Sequence, residues 1–163
     1  MDTRDGVRLH IGQLLVHQTR LFREQLYRRA SERGWEDVRP AHLQVFGTIK
    51  GDGSRLTDLA VSANMSQSSM VELIDDLQQK GYVERRPDPA DGRAKLVRLT
   101  DKGWATIRLG RQVIAEIERD YAQRIGVDRF EQLCAALQDL LDELEPDFRR
   151  RYEEPSPPTV PDA

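Results

Sequence analysis

The sequence predicts a mainly α protein carrying one small β-hairpin, an α+β arrangement. Three observations predict it. Apolar residues recur at three- and four-residue steps over most of the chain, the period of an amphipathic helix. Between Gly81 and Thr100 that period gives way to near-alternation, with Lys95, Leu96, Val97, Arg98 and Leu99 in order, the mark of a half-buried strand. A Pro/Asp/Gly stretch separates Ala94–Leu99 from an earlier short strand, Tyr82–Arg86. Asp91-Gly92 is expected at the tip, where glycine supplies a positive φ without steric cost.

Val7, Ile11, Leu14, Leu15, Leu21, Phe22 and Leu26 share one face of a long helix expected over about 6–33. Gly34-Trp35-Glu36-Asp37 breaks it. Pro40 suits the first turn of a second helix with Leu43, Phe46 and Ile49 on one side, ended by Gly51-Asp52-Gly53. Thr57 is the expected N-cap of a short helix, 58–63. Ser66 caps a longer one to Lys80, with Gly81 just past its end. Short helix, tight turn, longer helix is helix-turn-helix spacing. Thr100 can cap a long helix to about Arg124, and Gly126 interrupts it. Asp128-Arg129-Phe130-Glu131 reads as a capping box for a last helix. Phe130, Leu133, Cys134, Leu137, Leu140, Leu141 and Leu144 form its apolar seam, and Pro146 ends or bends it. Four prolines between Pro155 and Ala163 suit a disordered tail.

The expected organisation is therefore an N-terminal dimerisation helix (6–35), a winged helix-turn-helix segment (36–100), C-terminal dimerisation helices (101–150) and a Pro-rich tail (151–163). The long terminal helices carry apolar seams that would be exposed in isolation. A second copy is the expected cover, making a homodimer.

Charge needs a local reading. The 163 residues carry a net charge of −3, yet 82–100 holds five Lys/Arg against three Asp/Glu. Potential within a Debye length of ~8–10 Å governs a phosphate contact, not the overall pI. No apolar run approaches the ~20 residues of a membrane span, and 1–5 is polar, so no membrane partner and a cytoplasmic location are expected. The single Cys134 fits a reducing compartment.

On 66–80, Met70, Leu73, Ile74 and Leu77 point inward. Ser68, Val71, Glu72, Asp75 and Gln79 then face out, with Ser66, Gln67 and Ser69 near the N-terminal end. A recognition helix meets base edges chiefly through that half. Gln67 can pair with adenine, Val71 can touch a thymine methyl, and Glu72 can accept from a cytosine amino group. Ser66–Gln79 contains no Lys or Arg. Phosphate attraction is therefore expected from Arg55, Lys80, Arg85, Arg86, Arg93, Lys95 and Arg98. Arg93 is the expected minor-groove contact, its guanidinium held by Asp91 beside Gly92.

Leu56-Thr57-Asp58-Leu59-Ala60, Met65-Ser66-Gln67-Ser68-Ser69-Met70, Leu77-Gln78-Gln79-Lys80-Gly81-Tyr82-Val83-Glu84-Arg85, Asp91-Gly92-Arg93-Ala94-Lys95 and Leu99-Thr100-Asp101-Lys102-Gly103 together resemble the MarR (multiple antibiotic resistance regulator) family over about 7–145. The resemblance implies a homodimeric winged-helix regulator of double-stranded DNA, usually a repressor released by a small ligand or oxidant. It matches Asp91 and Arg93 to the family's wing-tip pair and Ser66–Glu72 to its base-reading region. One departure is that Glu72 and Asp76 stand where many relatives carry polar or basic residues. It also implies a small aromatic or phenolic effector between the dimerisation helices and the winged lobe, where His17, Arg20, His42, Phe46, Trp104 and Arg108 are the candidates.

Metal and redox chemistry are not expected. His10 and His17 lie seven apart, ~10.5 Å along a helix, too far to chelate one ion together. Cys134 has apolar neighbours that disfavour a thiolate, so it is expected as packing. No nucleophile constellation, metal spacing or phosphate loop points to an enzyme, and no cofactor is expected. The standing alternative is a winged-helix dimer used for protein contacts.

Overall fold

The structure, a computed structural model, describes residues 8–146. The expected helix start at 6–7 and the 151–163 tail lie outside them. The elements are α1 (Ile11–Ser31), α2 (His42–Phe46), β1 (Ser54–Arg55), α3 (Leu56–Ser62), α4 (Gln67–Gln79), β2 (Val83–Asp88), β3 (Asp91–Leu99), α5 (Asp101–Ile125) and α6 (Val127–Leu144). The fold is mainly α with a small antiparallel sheet, as the sequence predicts.

Three local signals act as read. Ser66 Oγ accepts the Ser69 N–H at 3.1 Å, capping α4. Thr100 Oγ1 accepts the Gly103 N–H at 3.2 Å and caps α5. Gly81, at φ +76°, turns the chain out of α4.

Other expectations need correction. The sheet has three strands in the order β1-β3-β2, with Ser54 opposite Val97 and Arg55 opposite Leu96. A two-residue strand is too short to show alternation, so β1 was invisible in the sequence. It runs straight into α3, which therefore starts at Leu56 with Arg55 in the cap position, not at Thr57. The hairpin strands are longer than expected, and the loop is Pro89-Ala90, not Asp91-Gly92. Asp88 Oδ1 accepts the Ala90 N–H at 2.9 Å and so builds a side-chain turn that proline's fixed φ suits. Gly92 is consequently part of β3, and among the described residues positive φ is confined to Asn64 and to Gly34, Gly53, Gly81 and Gly126. The second helix is only His42–Phe46, and Pro40 precedes its cap, Ala41. Finally, α6 begins at Val127 directly after Gly126, so Asp128 is inside the helix and caps nothing.

The core joins α1, α2, the winged segment and α5 as far as Ile117. Leu26, Ala30, Trp35, Val38, Val45, Ile49, Met70, Ile74, Leu77, Tyr82, Val97, Trp104, Val113 and Ile117 are buried in one cluster. Burying such side chains contributes roughly 1.5–3 kcal/mol each. Trp35 Nε1 donates to the Thr106 carbonyl at 3.2 Å, so the indole is satisfied inside. Phe46 meets Tyr82 edge-on, with ring centroids 5.8 Å apart. Gly103 is required where α5 crosses Tyr82: an added Cβ would stand 2.2 Å from the Tyr82 carbonyl oxygen.

The terminal helices are different. Nothing on α6 is buried, although its leucines share a seam. Leu9, Ile11, Leu14, Leu15 and Val16 at the start of the chain are exposed too. Arg29–Asp120 (2.6 Å) and Arg33–Glu116 (2.8 Å) tie the end of α1 and the turn after it to α5.

Candidate nucleic-acid interface

The outward face of α4 presents Gln67, Ser68, Val71 and Glu72, all exposed, with Ser69 half-buried. Ser66 Oγ also contacts Ser68 Oγ (3.1 Å) and Ser69 Oγ (2.9 Å), so the three hydroxyls form one cluster at the helix start. Val71 is 37% exposed, an apolar spot among polar neighbours. Such a surface offers donors, acceptors and one methyl-seeking contact, the mixture that major-groove edges require.

Five of the expected phosphate cations divide into two groups. Arg93 and Lys95 are exposed on the wing. The other three are held by carboxylates. Arg85 donates to Asp75 at 2.6 Å and to Gln78 at 3.0 Å, which fastens β2 to the side of α4. Arg86 pairs with Glu84 at 2.8 Å, and each pushes the other's titration toward the charged form. Arg55 grips Asp88 through Nε and Nη2 at 2.9 and 2.6 Å. The Ala90 N–H and then Arg55 hold the Asp88 carboxyl below its usual range.

The expected Asp91–Arg93 side-chain pair does not form. Asp91 Oδ1 accepts the Arg93 backbone N–H at 3.1 Å, and Asp91 Oδ2 lies 3.9 Å from Arg55. Moving the loop to Pro89-Ala90 puts both residues on β3, where residues two apart share a face but their backbone lies closer than their side-chain ends. The Arg93 guanidinium is left pointing to solvent.

Asp76, which the resemblance singles out as a departure, is half-buried on the side of α4 that faces the 37–42 segment. Its Oδ2 takes Lys80 Nζ at 2.8 Å, Arg39 Nη2 at 2.7 Å and His42 Nε2 at 2.7 Å. Lys80, then Arg39 and His42, draw its carboxyl down to about 2. Lys80 also donates to the Asp37 carbonyl at 3.0 Å. The Tyr82 hydroxyl donates to Asp37, and Lys102 Nζ lies 4.0 Å from the Tyr82 ring centroid. This network locks α4, the 37–39 loop and the start of α5 together. The i, i+4 spacing of Asp76 and Lys80 was its one signal in the sequence.

The six candidates for an effector crevice are not brought together. His42 is buried beside Asp76, while Phe46 and Trp104 belong to the core; helical spacing alone could not distinguish core from pocket. His17 and Arg108 are exposed. Arg20 alone of these lines an open cleft of about 630 Å³ between α1 and the 40–41 turn, with Leu15, Val16, Arg23, Glu24 and Pro40. Cys134 is exposed rather than packed in the single chain, and partial burial, Glu131 and Glu118 raise its thiol above the ordinary value. No helix among the described residues is long and apolar enough to cross a membrane.

Comparison with known proteins bears on the same segment. A MarR family model matches residues 36–94. The reduced form of MarR from E. coli superposes with a TM-score of 0.72 at 22% identity, covering 83% of this chain and 99% of that one. The transcriptional regulator Tm0710 from Thermotoga maritima gives 0.61 at 22% identity, covering 85% and 96%. A mutant of S. aureus MepR bound to oligodeoxyribonucleotide gives 0.57 at 19% identity, covering 85% and 100%. At these identities the superpositions establish a shared fold.

Proposed function

We propose that this chain, whose residues 36–94 match a MarR family model and whose fold is shared with transcription regulators such as Tm0710 and MepR, is a sequence-specific regulator of double-stranded DNA. It acts as a homodimer on a pseudo-palindromic operator, as a repressor. One observation carries the reading. Arg85, Asp75 and Gln78 fasten the start of β2 to α4, which supports base-reading groups on α4 and the exposed Arg93 and Lys95 acting on one duplex. Ser66, Gln67, Ser68, Ser69, Val71 and Glu72 meet base edges. Arg93 and Lys95, flanking the open backbone at Gly92, take the adjacent backbone or minor groove. Arg85 and Arg86 contribute attraction only as far as their acidic partners release them. MepR's capture on an oligodeoxyribonucleotide supports the assignment.

The bare seam of α6 and the exposed start of α1 supply the dimerisation surface, with 6–35 and 101–150 pairing across a twofold axis and 36–100 reading DNA. Two α4 helices then enter successive major grooves about one helical turn (~10 bp) apart. A small aromatic effector in the cleft lined by Arg20 and Pro40 would alter the separation of the lobes. MepR has been captured with ethidium bromide, which supports an aromatic ligand class.

Fluorescence anisotropy on the duplex flanking the coding region, titrated with salt, tests the proposal. A negative slope of log affinity against log salt is expected. Absence of binding even at low salt favours protein contacts instead, a reading that the carboxylates of Glu72 and Asp75 on the same face recommend.

A further inference from the structure

Arg55 lies 33 residues before Asp88 in sequence, yet its guanidinium meets that carboxylate twice, at 2.9 and 2.6 Å. Asp88 is nearly enclosed, with 7% of its side chain exposed, and its other oxygen accepts the Ala90 N–H at 2.9 Å. Across the loop, Arg55 Nη2 lies 3.9 Å from Asp91, which accepts the Arg93 N–H. One side chain therefore reaches both ends of the wing loop from β1, the strand that runs directly into α3.

We propose that Arg55 is a positioning residue, a strut that sets the wing loop so that Arg93 meets DNA, and not itself a phosphate ligand. This rests on the DNA-binding reading. The physical case is that a two-residue loop leaves the ribbon end without packing of its own: Pro89, Ala90, Asp91, Gly92 and Arg93 are all exposed. Its direction must come from side-chain bonds. A fork-shaped guanidinium on an enclosed carboxylate has the geometry to supply it. Arg55 keeps further N–H donors on a side chain 44% exposed, but Asp88 and Asp91 beside it offset its charge locally, so a phosphate gains less from it than from Arg93.

Charge and geometry predict opposite signs for D88N, which makes the test decisive. Removing a negative charge near DNA should strengthen binding if charge alone matters. Loss of the strut should weaken it. With a randomised 30-bp duplex and a salt titration, D88N and R55Q are each expected to bind about fivefold more weakly, the scale of leaving one ribbon end unordered before binding. Their salt slopes should match the parent, and R55Q/D88N should be no worse than either alone. R55K, which keeps the charge but not the fork, should fail to rescue. R93A, in contrast, should lose about one unit of slope.

Amide exchange at Ala90 and Arg93 should accelerate in D88N while the thermal midpoint of the winged core holds. Equal or tighter binding by D88N, or an R55Q slope as shallow as that of R93A, overturns the strut. If the parent protein binds no duplex, the DNA reading fails instead. Wing exchange then still decides: unchanged rates in D88N overturn the inference.

Discussion

His42 Nε2 stands 2.7 Å from Asp76 Oδ2, while its Nδ1 accepts the Arg39 N–H at 3.0 Å. A ring nitrogen that accepts carries no proton, so the imidazole is the neutral tautomer with its proton on Nε2, close to the carboxylate but out of line for a hydrogen bond. Burial keeps it neutral, lowering its pKa against the pull of Asp76. The contact brings the start of α2 against α4 on the side away from the reading face.

Acid should dissolve this joint in two stages. The unfolded chain binds a proton at His42 near 6.5 while the folded chain resists, so stability falls as pH drops below that value. The Asp76 carboxyl, drawn from 3.8 to about 2 in the fold, adds stability present above 3.8 and lost as pH falls toward 2. Urea unfolding at pH 7.5, 5.5 and 3 should show two successive decreases. D76N should cost about 1–3 kcal/mol at pH 7.5, since it leaves an enclosed imidazole and two cations short of a charged acceptor. A pH-independent stability between 7.5 and 3 would remove this account.

Arg93 should behave as a phosphate or minor-groove cation. R93A is expected to weaken duplex binding about tenfold, ~1.4 kcal/mol, and to flatten the salt dependence by about one unit. The thermal midpoint should not move, because the side chain is exposed and forms no ion pair among the described residues. Anisotropy at three salt concentrations checks both.

The seam of α6 should be an interface. Leu137 and Leu140 are 38% and 44% exposed in the single chain. Placing a carboxylate there would bury an unpaired charge in the dimer at a cost of several kcal/mol. L137E/L140E is expected to sediment with half the mass of the parent and to keep its helical circular dichroism. A parent protein that already sediments as a single copy would sink the twofold arrangement.

G103A should be costly for so small a change. The Cβ would meet the Tyr82 carbonyl oxygen at 2.2 Å, and neither α5 nor that backbone can retreat without breaking the Thr100 N–H to Tyr82 carbonyl bond (3.1 Å). About 1–3 kcal/mol is expected, the usual range for overpacking. Thermal unfolding read against G12A, where an added methyl meets nothing, isolates the steric part.

Sequence by itself determined where along the chain helices form, the inward face of α4 and the caps at Ser66 and Thr100, because those signals act between residues three or four apart and need no distant partner. It likewise located a ribbon between α4 and α5, and the outward residues of α4. What it could not determine was which charges meet. Arg55 with Asp88, Arg39 with Asp76 and Tyr82 with Asp37 are 33, 37 and 45 residues apart, and periodicity tells which way a side chain points without telling what stands opposite. The same ignorance misplaced the ribbon loop: Asp91-Gly92 has the better intrinsic turn chemistry, but Asp88, anchored from β1, captures the Ala90 N–H and closes the loop earlier. Tertiary structure thus decided which arginines brace the molecule and which remain free, since an ion pair between remote residues forms only after packing has brought their backbones together.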